Sequence, residues 1–163
     1  MIEKIYELLE DAERIVIMGI GNELRRDDAA GVIVAKKLSS HKMPENIKII
    51  ECGETPENFL SPIEKFKPTH VILIDAIEMG AQPGSIAILA KESVIDYPTI
   101  STHRPSPHIL ISYIEEIIGA KVIIIGIQPK NINFGEGLTQ EVKNSVEILV
   151  NILKDVLEAK NAP

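Results

Sequence analysis

The chain has 163 residues, 45% hydrophobic and 25% charged, which suits one globular domain spanning 1–163 and excludes a disordered or low-complexity chain. A formal net charge of −7 opposes binding to a phosphate backbone, whose protein partners display clustered Lys and Arg. The single cysteine, Cys52, excludes an internal disulfide and any zinc site built on several thiolates.

The opening MIEKIYELLEDAER is acidic rather than signal-like. Its helical spacing predicts a first helix over about Ile2–Glu10, with Ile5, Leu8 and Leu9 on one face. No apolar run approaches the roughly 20 residues of a membrane helix, so a cytoplasmic protein without membrane insertion is expected, either a monomer or a weak oligomer.

The run Ile15–Ile20 (IVIMGI) is β-branched and continuous, the pattern of a strand buried on both faces of a parallel sheet. A glycine turn leads from it into a helix over Ala29–Leu38. Ile47–Cys52 predicts the next strand and Glu57–Phe66 a helix. Val71–Ile74 (VILI) repeats the buried-strand pattern. Ser85–Leu89, bounded by Pro83-Gly84, predicts a short edge strand. Pro107–Ile118 predicts a helix, Val122–Ile127 (VIIIGI) a further buried strand, and Thr139 to about Ala159 a long final helix. The alternation reads as βαβ units, giving a doubly wound, mostly parallel α/β sheet of about five strands flanked by helices.

In such sheets, sites form where the chain leaves the carboxyl ends of strands. Gly19–Gly31 (GIGNELRRDDAAG) is one place. The third glycine of a dinucleotide fingerprint is missing, since position 24 is Leu24. Asp27 and Asp28 there read either as acidic caps of the helix or as site carboxylates. Asp75 ends the strand HVILID. Because burying an unpaired charge is costly, it is expected to protrude at the sheet's edge, as a turn carboxylate, a metal ligand or a general base. His103 lies in the loop Ser101–Pro107 (STHRPSP). Taken together, Asp28, Asp75 and His103 converge at one end of the sheet, and two carboxylates with one imidazole suit a divalent metal. His41 and His70 read as structural, as does His108. Cys52 also ends a strand, so a cysteine hydrolase pairing Cys52 with His103 is an alternative, as is a non-enzymatic module binding a metal or a small anion.

Five ordered segments, GIGNELRRDD, CGETPEN, ILIDAIEMGAQPG, STHRPSP and GIQPKNINFGEGLTQEVKNSVE, resemble the nickel-iron hydrogenase maturation proteases over nearly the whole chain. The resemblance is nearest to the type that processes the hydrogenase of formate hydrogenlyase. It implies an endopeptidase, of aspartic or nickel-dependent type, that removes the C-terminal tail of a nickel-loaded large-subunit precursor. It also implies nickel ligation by Asp28, Asp75 and His103. These are harder ligands than cysteine thiolates, so the nickel is expected to be presented by the precursor, and either it polarises the carbonyl or activates water, or Asp28 or Asp75 acts as the catalytic general base. Two positions depart from the family pattern. Arg26 stands where Gly or Ala is usual and is expected to place a cation beside Asp27 and Asp28, where it either favours their charged form or pairs with Asp27. Cys52 stands where glycine is common and puts a soft ligand near the rim.

Overall fold

In a computed structural model that describes residues 1–95 and 107–160, five strands form one sheet: β1 (Ile15–Ile20), β2 (Ile47–Gly53), β3 (His70–Ala76), β4 (Ile86–Leu89) and β5 (Lys121–Ile127). Their order is β2-β1-β3-β5-β4. The first four positions run parallel, and β4 closes the edge antiparallel to β5. Every residue of β1 is buried, as its unbroken apolar run requires of a strand covered on both faces.

Alternation along the strands separates two cores. Ile17, Ile72, Ile74 and Ile125 share one with Val34 and Leu38 of α2 (Ala30–Ser39) and with Leu149 and Leu153 of α6 (Gln140–Lys160). Ile5 of α1 (Ile2–Leu8) joins that side. Val16, Met18, Leu73 and Ile124 share the other with Ile63 of α3 (Leu60–Phe66) and with Leu110 and Ile111 of α5 (Pro107–Tyr113).

The connection β1-α2-β2 thus covers one face and β2-α3-β3 the other. That reversal makes the β1/β3 junction the topological switch point, where a crevice opens at the carboxyl ends of the strands.

Several boundaries differ from the sequence reading. The expected helix Glu57–Phe66 begins as a 3-10 turn, Pro56–Phe59, before α3. A short α4 (Lys91–Ile95) follows β4, and α5 continues as a π turn over Ile114–Ile118. Among the described residues, no helix is long and apolar enough to cross a membrane.

Candidate active site

Glycines let α2 approach the switch point backbone to backbone. A Cβ on Gly31 would lie 2.1 Å from the Ile74 carbonyl oxygen and 2.5 Å from that of Ile20, and one on Gly19 would lie 2.3 Å from the Gly31 oxygen. No side chain fits at those distances, so the first turn of α2 rests directly on β1 and β3. The 3-10 turn Arg26–Ala29 that precedes it is carried onto the end of β3.

Asp28 sits in that turn, fully buried, and its Oδ2 accepts a hydrogen bond from the Asn22 amide at 3.0 Å. Asp75 follows Ile74 directly. It does not project beyond the sheet as the sequence suggested, but stays within the β3 ladder, half-buried and opposite Gly126. A Cβ at Gly126 would meet the side chains of Ile77, Met79 and Leu89, which close over that part of the sheet. Alternation puts Asp75 on the same face as Leu73, the face covered by α5.

His103 lies outside the described residues. Among the described residues, no group of three His, Cys, Asp or Glu side chains is arranged to hold a metal ion. Of the three expected ligands, the described residues include Asp28, in the turn before α2, and Asp75, near the end of β3.

Asp27 differs most from expectation. It caps no helix. Its carboxylate turns away from α2 and accepts four hydrogen bonds from the segment after β5: the Lys130 and Asn131 amides at 2.9 and 3.0 Å, and the Thr139 amide and hydroxyl at 2.8 and 2.7 Å. The same turn is held by its backbone, with Arg26 N–H donating to the Gly135 carbonyl, Asp27 N–H to that of Asn131, and Gly135 N–H to that of Leu24. Arg26 does not pair with Asp27. It adopts a left-handed φ of 44°, a conformation that favours glycine, and its guanidinium lies over Gly135.

The loop after β3 is fastened by a second buried side chain. Gln128 at the end of β5 accepts from the Met79 and Ala81 amides at 2.7 and 3.3 Å and donates to Glu78 at 2.8 Å. Three loops around the crevice are therefore tied together by Asp27 and Gln128. Beside the clasp lies an open cavity of about 370 Å³, bordered by Leu24, Ile33 and Leu138 with Glu23, Arg26 and Glu136. Leu24 and Phe134 stand exposed on the two clasped loops.

The remaining candidates fall away from the crevice. Cys52 is buried against the apolar side chains of the second core, and burial, with a smaller effect from Glu57, pushes its thiol up to about 12. Its burial takes it off the rim, and a thiol held protonated is a poor nucleophile. His70 begins β3 at the opposite end of the sheet, its Nδ1 bonded to Thr69 Oγ1 at 3.0 Å and its Nε2 3.2 Å from Asp11. His41 lies exposed in the loop after α2 and His108 exposed in the first turn of α5.

The fold and crevice define a doubly wound α/β protein whose switch point is acidic and lacks a phosphate-binding glycine fingerprint. A family model described as "Hydrogenase maturation protease" matches residues 32–156. The chain belongs to the hydrogenase maturation proteases. It is 38% identical to the putative hydrogenase maturation protease MJ0631 of Methanocaldococcus jannaschii, over 97% of this chain and 96% of that one. It is 33% identical to the hydrogenase 3 maturation protease of Escherichia coli K12, over 85% and 88%. The crystal structure of the [NiFe] hydrogenase maturation protease HycI from Thermococcus kodakarensis superposes with a TM-score of 0.87 at 34% identity, covering 95% of this chain and 99% of that one.

Proposed function

We propose that this chain is an endopeptidase that removes the C-terminal tail of the nickel-loaded precursor of a nickel-iron hydrogenase large subunit. The observation that carries the reading is the junction at the switch point, where the turn holding the buried Asp28 packs on β3, the strand whose last two residues are Asp75 and Ala76. Family membership supplies the reaction class, and the crevice supplies the groups. One domain spanning 1–163 does the work, in the cytoplasm.

Nickel enters as part of the substrate. Asp28, Asp75 and His103 together carry two negative charges when the imidazole is neutral, matching a divalent cation. Carboxylate and imidazole are harder donors than cysteine thiolates and compete poorly for nickel on their own. They complete coordination around a cation already gripped by the precursor, which fixes the nearby peptide bond in the crevice. Such positioning is worth several kcal/mol of barrier, on the order of 7–11 at best.

In the hydrolytic step, Asp75 or Asp28 takes a proton from the attacking water and returns it to the departing amine. Held by Asp28, Asp75 and His103, the cation would supply charge stabilisation at the carbonyl.

The test is the order of nickel addition. Precursor preloaded with nickel is incubated with the protease, and the mass of its C-terminus is followed beside nickel-free precursor held with a chelator. Shortening of the loaded precursor alone is expected, with nickel given to the protease first helping less. Equal cleavage of both precursors sinks the substrate-nickel reading. Nickel binding without any cleavage favours a non-enzymatic metal-binding module instead.

A further inference from the structure

We infer that Asp27 is a positioning residue for the cleavage step, holding Asp28 in place by anchoring its turn to the segment Lys130–Thr139. The inference rests on the reading that Asp28 acts in cleavage.

The two aspartates are neighbours with opposite duties. Asp28 receives the Asn22 amide on the strand side, whereas both oxygens of Asp27 face the loop after β5. Its Oδ1 takes the Thr139 amide, and its Oδ2 takes the Lys130 amide, the Asn131 amide and the Thr139 hydroxyl. All four partners donate, so the position demands a group that accepts on both oxygens. An amide accepts on one side only. Its NH₂ would confront either the Thr139 amide or the Lys130 and Asn131 amides, and the turn has to move to relieve that opposition.

A 3-10 turn of four residues has no slack between adjacent side chains, so movement of Asp27 carries Asp28 with it. Arg26 strengthens the need for the anchor. Its left-handed φ of 44° is unfavourable for a residue with a Cβ and persists because the bonds on either side hold it there.

The experiment compares full-length variants by steady-state cleavage of nickel-loaded precursor, at a temperature where each is folded by circular dichroism. Asp27→Asn is expected to lower kcat on the order of 10-fold to 100-fold while KM stays near the wild-type value. Leu153→Ala, a cavity variant in the core beneath α6, controls for lost stability and is expected to keep its kcat. Thr139→Val removes one donor and should lower kcat less, and Thr139→Ser should restore it. Wild-type kcat in Asp27→Asn overturns the inference, as does a loss no greater than that of Leu153→Ala at matched thermal midpoint. Should Asp27→Asn fail to fold, unchanged kcat in Thr139→Val overturns it alone. Asp28→Ala run in parallel separates the two readings: full activity there removes Asp28 from the reaction, while inactivity there with normal Asp27→Asn removes only the positioning role.

Discussion

Thr139 gives Asp27 two hydrogen bonds across 112 positions of sequence, one from its amide at 2.8 Å and one from its hydroxyl at 2.7 Å. Losing the hydroxyl alone in Thr139→Val should cost about 1 kcal/mol. Asp27→Ala leaves three backbone amides without their acceptor and should cost about 3 kcal/mol or more. Denaturant unfolding of both variants checks the ratio, and equal costs would mean that the amides find water instead.

Gly31→Ala tests the close approach of α2. A methyl group 2.1 Å from the Ile74 oxygen forces the helix off β3, which should cost about 3 kcal/mol and reduce processing as Asp28 shifts. Gly53→Ala makes the comparison, because its φ of 59° is strained but nothing lies within 4 Å. About 1 kcal/mol is expected there. A thermal midpoint lowered equally in the two variants contradicts the packing account.

Asp75→Asn preserves size at a half-buried strand end while removing the negative charge. Processing of loaded precursor should fall by roughly 100-fold or more, with the thermal midpoint within a few degrees of wild type. Normal processing by this variant would take Asp75 out of the mechanism.

Cys52 should behave as a core side chain. With its thiol pushed up to about 12, iodoacetamide should leave the folded protein unmodified at neutral pH and modify it only after unfolding. Cys52→Ala should process precursor at a near wild-type rate and lose about 1–2 kcal/mol of stability through the cavity. Inactivity of a folded Cys52→Ala would revive the thiol hydrolase.

His70 predicts a pH dependence of stability. Burial lowers its pKa below the ordinary 6.5, and the nearby Asp11 carboxylate only partly opposes this. The folded state therefore binds the ring proton less readily than the unfolded chain. That contribution to stability is complete above 6.5 and is lost as pH falls through the depressed folded-state value. Urea midpoints measured downward from 6.5 should drop more steeply in wild type than in His70→Gln. Parallel curves would show that another group sets the acid limb.

The strands were legible because burial on both faces leaves its mark in a single run, as at IVIMGI and VIIIGI. The edge position of Ile86–Leu89 was equally readable from Pro83-Gly84, since a turn there breaks the βαβ rhythm. Asp27 was not. A carboxylate at the start of a helix looks locally like a cap, and its actual donors lie at Lys130, Asn131 and Thr139, a contact that no window of sequence contains. Asp75 is legible at the end of its strand, but its retention within the ladder is not, because its register partner, Gly126, belongs to another strand. For Arg26 the sequence shows the charge but not the left-handed backbone that turns the side chain toward Gly135.

The bond between residues 27 and 139 also bears on when activity can appear during synthesis. The turn carrying Asp28 emerges from the ribosome early, yet the donors that fix it are translated more than a hundred residues later. A nascent chain lacking them has its crevice unfinished, however well β1 and β3 have paired. On the proposed role of Asp28, competence to cut is deferred until the chain has been translated through Thr139, so that a fragment ending before it carries the acidic motif without the anchor of its turn.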